Sequence, residues 1–200
     1  MIPASDAFVF FGATGDLAYK KIFPALQALI QRGALDMPII GVARSGWTPE
    51  QLSERARDSL QNNGGLDADA FAKLVTQLSY IDGDYNDPAT YTRLRQALGD
   101  ARRPLHYLAI PPSLFATVVQ GLSAAGCATD ARVVVEKPFG RDLASAQALN
   151  RSLHEVFPEQ AVFRIDHYLG KEAVQNLLAL RFGNILFEPL WRRDFPFEAA

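Results

Sequence analysis

Apolar residues along this chain occur in short continuous runs, separated by longer segments in which apolar and polar residues recur with a helical period. An apolar run of roughly four to eight residues bounded by turn residues is typical of a strand buried on both faces of a parallel sheet. Six segments have this pattern and are predicted as strands: 8–11, 37–43, 78–81, 104–110, 132–136 and 161–165.

The segments between these runs predict helices, several of which begin with a clear capping residue. Thr48 precedes Pro49 and Glu50, which is typical of a helix start, and Asp67, Asp87 and Asp142 occupy the same capping position in later segments. The first helix is expected to end before Gly33, which is a stop signal. The predicted helices cover 17–32, 49–60, 68–74, 88–98, 113–125, 143–156 and 171–181.

Strands that alternate with helices in this way predict an α/β fold with a doubly wound, Rossmann-type parallel sheet. In such sheets ligands bind beyond the carboxyl ends of the strands. The polar motifs of this chain follow predicted strands, so they are expected to meet at one edge of the sheet.

Composition and charge limit which partners and which compartment are expected for this chain. The chain has 200 residues, is 48% hydrophobic and 21% charged, and carries a formal net charge of −2. These values are typical of a globular protein and give no electrostatic reason to expect nucleic acid or a membrane as partner. The single cysteine, Cys127, is interpreted as a small buried residue in a reducing compartment, so a cytoplasmic location is expected. No signal peptide, membrane span or metal site is predicted.

The first strand runs into the sequence Gly12-Ala-Thr-Gly15-Asp-Leu-Ala18, which predicts a phosphate-binding turn followed by a helix. Gly12 suits the tight turn, Gly15 opens the helix where free N–H groups meet a phosphate, and the small Ala18 permits close packing. This pattern predicts a dinucleotide site. A plain turn without a ligand stays open on this stretch alone.

The second predicted strand ends at Arg44 and Ser45, where Rossmann-type sheets select their cofactor. Sites for NAD carry an acid there, which accepts from the ribose 2′-hydroxyl, whereas an arginine accommodates the 2′-phosphate of NADP. A guanidinium and a hydroxyl therefore favour NADP. Dual use of NAD and NADP stays open, as does an exposed arginine without a ligand.

The last predicted strand is followed by the densest group of polar residues in the chain, Asp166-His167-Tyr168-Leu169-Gly170-Lys171. Lysine, histidine and tyrosine can surround a phosphate dianion, so a sugar phosphate is a candidate ligand. In the alternative interpretation, Asp166 caps the next helix and the two rings only pack.

Taken together, these motifs resemble the amino-terminal, NADP-binding portion of glucose-6-phosphate dehydrogenase, over essentially all 200 residues. The segment 164–171, Arg-Ile-Asp-His-Tyr-Leu-Gly-Lys, is the most specific of them. The other motifs are Gly12 to Ala18, Lys20-Lys21-Ile-Phe-Pro24, Gly41-Val-Ala-Arg-Ser45, Glu136-Lys-Pro-Phe-Gly140, Arg181-Phe-Gly-Asn184 and Phe187-Glu-Pro-Leu-Trp191.

The resemblance implies oxidation of glucose 6-phosphate at carbon 1 to 6-phosphogluconolactone, with hydride transfer to NADP, as the first step of the oxidative pentose phosphate pathway. Asp16 would repel a pyrophosphate, so its carboxylate is expected to turn toward backbone N–H groups at the helix start. The implied cofactor-binding residues are Gly12, Thr14, Gly15, Asp16, Leu17, Lys21, Arg44, Ser45 and Lys137.

The same resemblance implies the substrate and catalytic residues. Lys137 corresponds to a lysine that touches both substrate and cofactor, and Pro138 to a proline that often follows a cis bond. Asp166 corresponds to the carboxylate that pairs with the catalytic histidine, so Lys137 and Asp166 are the catalytic candidates. The residues implied for substrate binding are Lys137, His167, Tyr168 and Lys171.

The resemblance also implies a division into a dinucleotide-binding domain, 1–165, and the truncated beginning of a substrate and dimerisation domain of α+β class, 166–200. The family's general base is expected further along, and His106 and His154 are interpreted as structural. The chain is therefore expected to bind NADP without turnover, and the full-length relative to be a homo-oligomer. The alternatives are a non-catalytic NADP-binding module and an enzyme of the glucose-fructose oxidoreductase type, which also carries Glu-Lys-Pro.

Overall fold

The fold is built on a six-stranded sheet of order β3-β2-β1-β4-β5-β6. The structure is a computed structural model, and it describes residues 4–166 and 168–183. Neighbouring strands from β3 through β5 are parallel, which confirms the predicted doubly wound sheet. The strands are β1 Ala7–Phe11, β2 Ile39–Ala43, β3 Leu78–Asp82, β4 Pro104–Leu108, β5 Arg132–Glu136 and β6 Val162–Ile165.

The helices begin close to the predicted capping residues. The Thr48 hydroxyl accepts from the Gln51 N–H while the Gln51 side chain accepts from the Thr48 N–H, and Asp67, Asp87 and Asp142 each accept from a backbone N–H of their own first turn. These bonds provide acceptors for backbone N–H groups of the first turn, which have no hydrogen-bond partner within the helix itself. The helices are α1 Phe23–Gln31, α2 Pro49–Asn62, α3 Ala68–Gln77, α4 Pro88–Leu98, α5 Phe115–Ala124, α6 Leu143–His154 and α7 Glu172–Phe182.

The core lies in two layers, one on each face of the sheet. Along β1, Val9 and Phe11 point to the layer that contains α4 and α5, whereas Phe10 points to the layer of α1, α2 and α3. All three side chains are fully buried. Burial on both faces explains why β1 is continuously apolar, since a strand covered on one face alone would alternate.

The first helix differs from its prediction as one uniform α-helix. Residues Ala18–Ile22 form a π-helical turn, in which the Phe23 N–H donates to the carbonyl of Ala18, and α1 follows it. Pro24 lacks an N–H, so it cannot continue the α-helical hydrogen-bond series at this point. The wider turn accommodates the proline within the helical segment that follows Gly15, where π-turns often accompany functional sites.

The backbone divides into two compact units, of which the first ends at Arg164 and the second begins at Ile165. None of the helices within the described residues is long and apolar enough to cross a membrane. The same part of the chain contains no group of three or more histidine, cysteine or acidic side chains that could hold a metal ion.

His106 and Cys127 lie inside the core, as the sequence indicated. The His106 ring is fully buried in β4, and its Nε2 lies 2.8 Å from the carbonyl oxygen of Cys127. Its Nδ1 has no hydrogen-bond partner among the described residues, so the neutral ring donates through Nε2. Burial lowers the pKa of His106 to about 4 and raises the pKa of the Cys127 thiol. His154 is also structural, with Nε2 2.9 Å from Glu159 Oε2.

The buried His106 predicts a loss of stability in mild acid. Because the folded-state pKa of about 4 lies below the ordinary value of 6.5, the unfolded chain takes up a proton first as the pH falls. The neutral His106 ring makes its full contribution to the free energy of unfolding above pH 6.5. We expect the free energy of unfolding to fall by about 3 kcal/mol by pH 4. Urea unfolding at a series of pH values measures it, with His106→Gln as control, whose amide can still donate to Cys127. An equal pH slope in both proteins between 6.5 and 4 would contradict this role.

Candidate functional site

The turn that follows β1 has the conformation that the sequence predicted. Gly12 has a φ of +80°, and a Cβ at this position would lie 2.2 Å from the carbonyl oxygen of Ala109. The Gly15 N–H donates to the Gly12 carbonyl at 2.9 Å, which closes the turn, and Ala18 is fully buried beneath it. Glycine alone suits such a backbone, because it tolerates the left-handed region and has no side chain to clash.

Tyr85 holds this turn from the segment after β3, and sequence reasoning missed it. Its hydroxyl accepts from the Gly12 N–H at 2.9 Å and donates to the Val42 carbonyl at 3.1 Å, so it ties the ends of β1 and β2 together. Burial raises the pKa of Tyr85 to about 12, so the hydroxyl stays protonated as the donor. A tyrosine three residues beyond a strand has no recognisable local signature.

Replacing Tyr85 with phenylalanine is expected to lower the free energy of unfolding by about 1 kcal/mol, the usual value of a lost hydrogen bond of this kind. The Gly12 N–H retains the Val42 carbonyl at 2.9 Å, so the turn should persist. Urea denaturation measures the difference. Tyr168→Phe serves as control, because Tyr168 is 56% exposed and its substitution should change stability little. Equal effects of the two substitutions would contradict the role of the Tyr85 hydroxyl.

The turn after β1 and the loop after β2 meet at their side chains. The Thr14 and Ser45 hydroxyl oxygens lie 2.7 Å apart, so the structure brings together two residues predicted for the same site. The loop itself is held by Asp82 at the end of β3, whose Oδ1 accepts from the N–H groups of Ser45 at 2.9 Å and Gly46 at 2.7 Å. The Ser45 N–H is the main cause that lowers the pKa of Asp82.

Arg44 is placed at the same edge and forms an ion pair that the sequence did not reveal. Its Nη1 lies 2.5 Å from Asp84 Oδ2, and 75% of the arginine side chain is exposed. The other carboxylate oxygen of Asp84 accepts from the N–H and the side-chain amide of Asn86, and the backbone bond is the main cause that lowers the pKa of Asp84. One feature of the sequence could have indicated this ion pair. Two acids, Asp82 and Asp84, lie at or just beyond the end of the strand that pairs with β2, and the ends of neighbouring parallel strands lie side by side.

The expectation for the Asp16 carboxylate was wrong. It does not turn back to the backbone but accepts from Lys20 Nζ at 3.1 Å, four residues along the helix, with both side chains largely exposed. An opposite charge one turn away competes with the N–H groups of the helix start. Thr14 and Leu17 are half-buried, while Lys21 is exposed within the π-turn.

Lys137 and Pro138 follow β5 and therefore lie at the same edge of the sheet as Gly12 and Arg44. The bond between them is cis, as the resemblance implied, and Lys137 is exposed. The preceding Glu136 accepts a hydrogen bond from the hydroxyl of Tyr107 in β4. The last residue of β5 is thus tied to its neighbouring strand directly before the lysine.

Three of the four predicted residues after β6 can be described. Asp166 Oδ1 accepts from the Tyr168 N–H at 3.0 Å, and Lys171 Nζ lies 5.0 Å from the centre of the Tyr168 ring, directly before α7. Tyr168 and Lys171 are both exposed. His167 lies outside the described residues.

The residues at the edge of the sheet fit a phosphorylated dinucleotide. The turn leaves no room for a side chain at Gly12, because the Ala109 carbonyl lies beside it, and a helix begins directly after the turn. One guanidinium and two hydroxyls, from Arg44, Thr14 and Ser45, adjoin this turn and can bind a further phosphate. Hydrogen-bond donors are thus grouped where phosphates of a dinucleotide would bind.

Comparison with known proteins gives a consistent result. The sequence profile of a family described as "Glucose-6-phosphate dehydrogenase, NAD binding domain" matches residues 9–176. Glucose-6-phosphate 1-dehydrogenase 1 of Mycobacterium tuberculosis is 46% identical over 191 residues, which cover 96% of this chain and 41% of that protein.

Solved structures agree with the sequence match. The crystal structure of glucose-6-phosphate 1-dehydrogenase from Mycobacterium avium has a TM-score of 0.87 and 47% identity, and covers 96% of this chain and 42% of that one. A glucose-6-phosphate dehydrogenase in complex with its substrate glucose-6-phosphate has a TM-score of 0.83 and 39% identity, over 96% of this chain and 43% of that one. The chain thus spans about two fifths of the length of these relatives.

Proposed function

Because the chain belongs to the glucose-6-phosphate dehydrogenase family, we propose that it binds NADP and takes part in the oxidation of glucose 6-phosphate at carbon 1. The product is the 6-phosphogluconolactone, as in the first step of the oxidative pentose phosphate pathway. The observation that carries the proposal is the Gly12 turn, together with the Arg44 and Ser45 loop that meets it through Thr14.

The cofactor-binding residues divide between the two phosphate groups of NADP. The turn from Gly12 to Leu17 is suited to the pyrophosphate through the N–H groups of Asp16 and Leu17, because these lie at the start of a helix, whereas the Gly12 and Gly15 N–H groups donate to protein oxygens. Arg44 and Ser45 are suited to the 2′-phosphate, which supports NADP as the cofactor. Asp16 and Lys21 belong to the same segment, where Lys20 neutralises the Asp16 carboxylate and so reduces its repulsion of a phosphate.

When bound, the nicotinamide supplies the acceptor for the hydride that leaves carbon 1. The sugar must lose its carbon 1 hydroxyl proton to a general base in the same step, so that the carbon–oxygen double bond of the lactone can form. Lys137 is proposed to bind substrate and cofactor at the carboxyl end of β5. Asp166 is proposed to orient the base, and His167, Tyr168 and Lys171 to bind the sugar phosphate, whose charge Lys171 would balance.

We further propose the domain division at 165/166, with the second part as the beginning of the substrate domain, and a cytoplasmic location. Homo-oligomers are proposed for the full-length relatives, and neither nucleic acid nor a membrane is proposed as a partner. The family match favours this function over that of a glucose-fructose oxidoreductase.

A second candidate function is NADP binding without turnover, which one observation favours. Both histidines within the described residues, His106 and His154, hold structural hydrogen bonds, and the first has its pKa lowered by burial. Neither is suited to remove a proton from a sugar in an exposed site.

The test combines a calorimetric titration of NADP with absorbance at 340 nm in the presence of glucose 6-phosphate, on the same sample of the 200-residue chain. Binding of NADP is the expected result, and a chain that does not bind NADP would contradict the proposed function. Formation of NADPH that requires glucose 6-phosphate would support the reaction and would remove the second candidate. Reduction that proceeds equally well with unphosphorylated glucose would contradict the proposed sugar-phosphate site.

A further inference from the structure

Asp84 supplies a carboxylate close to the place where Rossmann-type sites for NAD carry their acid. That acid usually stands at the end of the second strand, where it accepts from the ribose 2′-hydroxyl, and this chain has Arg44 there instead. In the sheet, β2 and β3 are parallel neighbours, and Ala43 is paired with Asp82. The residues that follow these two positions therefore leave the same edge side by side, which is how Asp84 reaches Arg44.

The position of the Asp84 carboxylate is determined by its own loop. Oδ1 accepts from the Asn86 N–H at 2.9 Å and from the Asn86 amide at 3.0 Å, and the Thr90 hydroxyl donates to the Asp84 carbonyl at 2.8 Å. Oδ2 remains for Arg44, at 2.5 Å from Nη1. The acid is thus held in place by α4 and its preceding loop, whereas Arg44 is the exposed and adaptable member of the pair.

The charges around Arg44 nearly cancel. The Asp82 carboxylate is engaged by the backbone N–H groups of Ser45 and Gly46, and Arg93 donates to the Asp82 carbonyl at 2.9 Å. Two guanidinium groups and two carboxylates therefore share this end of β2 and β3. A dianionic phosphate gains less from such a corner than from an unopposed arginine, because Coulomb energies add over all nearby charges.

We propose that Asp84 is a specificity-determining residue that reduces the preference of this site for NADP over NAD. The inference rests on the proposed function, since it concerns the same cofactor site. Asp84 acts on both ligands: it competes with a 2′-phosphate for Arg44 and repels its charge, and it offers an acceptor to a ribose hydroxyl. Removal of its negative charge should therefore tighten binding of the phosphorylated ribose and weaken binding of the unphosphorylated one.

The test uses two fragments that differ only in the 2′-phosphate, 2′,5′-ADP and 5′-AMP, titrated by calorimetry into the wild-type chain and into Asp84→Asn. Asparagine keeps the shape of the side chain and an oxygen for the Asn86 donors, so the loop should fold normally. We expect the ratio of the 5′-AMP to the 2′,5′-ADP dissociation constant to rise about tenfold, as loss of one competing charge-assisted contact would give.

Asp36→Asn is the matched control. Asp36 is also an exposed acid in an ion pair, with Lys73 at 3.1 Å, but it precedes β2 and so lies at the opposite end of that strand. The Asp36→Asn substitution removes the same formal charge from the protein as Asp84→Asn does. The ratio of the 5′-AMP to the 2′,5′-ADP dissociation constant should therefore stay at its wild-type value. Thermal unfolding of each variant shows whether it is folded under the titration conditions, and Asp84→Ser provides a second variant if Asp84→Asn is not.

Four outcomes would be informative. A raised ratio in Asp84→Asn with an unchanged ratio in Asp36→Asn supports the proposal. A weaker affinity of Asp84→Asn for 2′,5′-ADP would mean that Asp84 positions Arg44 for the phosphate, and this result, like an unchanged ratio, overturns it. Failure of the wild-type chain to bind NADP and both fragments overturns the proposed function itself, which the wild-type titrations distinguish from failure of this inference.

Discussion

Alanine in place of Arg44 is expected to weaken NADP binding by about 10- to 100-fold, while NAD binding changes by less than about threefold. Arg44 directly precedes Ser45, whose hydroxyl lies 2.7 Å from that of Thr14, and 75% of the arginine side chain is exposed. Charge-assisted hydrogen bonds to phosphate are stronger than those between neutral groups, so the loss falls on the ligand that carries the 2′-phosphate. Calorimetric titration of both dinucleotides measures the two changes.

Arg32→Ala is the control for this substitution. Arg32 is an exposed arginine at the C-terminal end of α1, so its replacement by alanine removes the same positive charge at a position away from the site. Its affinities should match those of the wild-type chain. Equal losses for NADP and NAD in Arg44→Ala would mean that Arg44 binds a part common to both dinucleotides, and the assigned role would be wrong. The Asp84 proposal would then lose its physical basis as well.

Alanine in place of Gly12 is expected to abolish binding of NADP and NAD alike and to lower the free energy of unfolding by about 3 kcal/mol. Two costs combine here. A φ of +80° is unfavourable for any residue with a Cβ, and the added Cβ would lie 2.2 Å from the Ala109 carbonyl oxygen. The backbone must move to relieve this overlap, and the N–H groups meant for the pyrophosphate move with it. Urea denaturation and calorimetry test the two effects separately.

Gly33→Ala separates the backbone cost from the steric one. Gly33 has a φ of +67°, close to that of Gly12, but no atom lies within 4 Å of a Cβ built there. The Gly33→Ala variant should therefore lose only about 1 kcal/mol of its free energy of unfolding and should bind the cofactor normally. If the two variants lose the same stability and both retain NADP binding, the close approach at Gly12 has no role in the site.

The contrast between these glycines shows how far local sequence can be interpreted. The motif from Gly12 to Ala18 predicted the turn, the helix start and the close packing, because each depends on residues adjacent in the chain. It did not predict the π-turn before α1, which arises where Pro24 interrupts a helix that also has to pack on the sheet. It also misplaced the Asp16 carboxylate, since a neighbouring lysine competed with the backbone for it.

By itself, the sequence determined the alternation of strands and helices, the capping residues, the glycine turn and the arginine at the end of β2. These features depend on residues near each other in the chain, where periodicity and turn chemistry operate. Only the tertiary structure decided which residues support the site from a distance. Asp82 ends the strand β3, which pairs with β2 through non-local contacts, and Asp84 and Tyr85 follow it. The sheet brings these three residues to Ser45, Arg44 and Gly12, respectively. Side-chain contacts between separate loops depend on strand order and register, and these are consequences of packing the whole sheet rather than of any one segment.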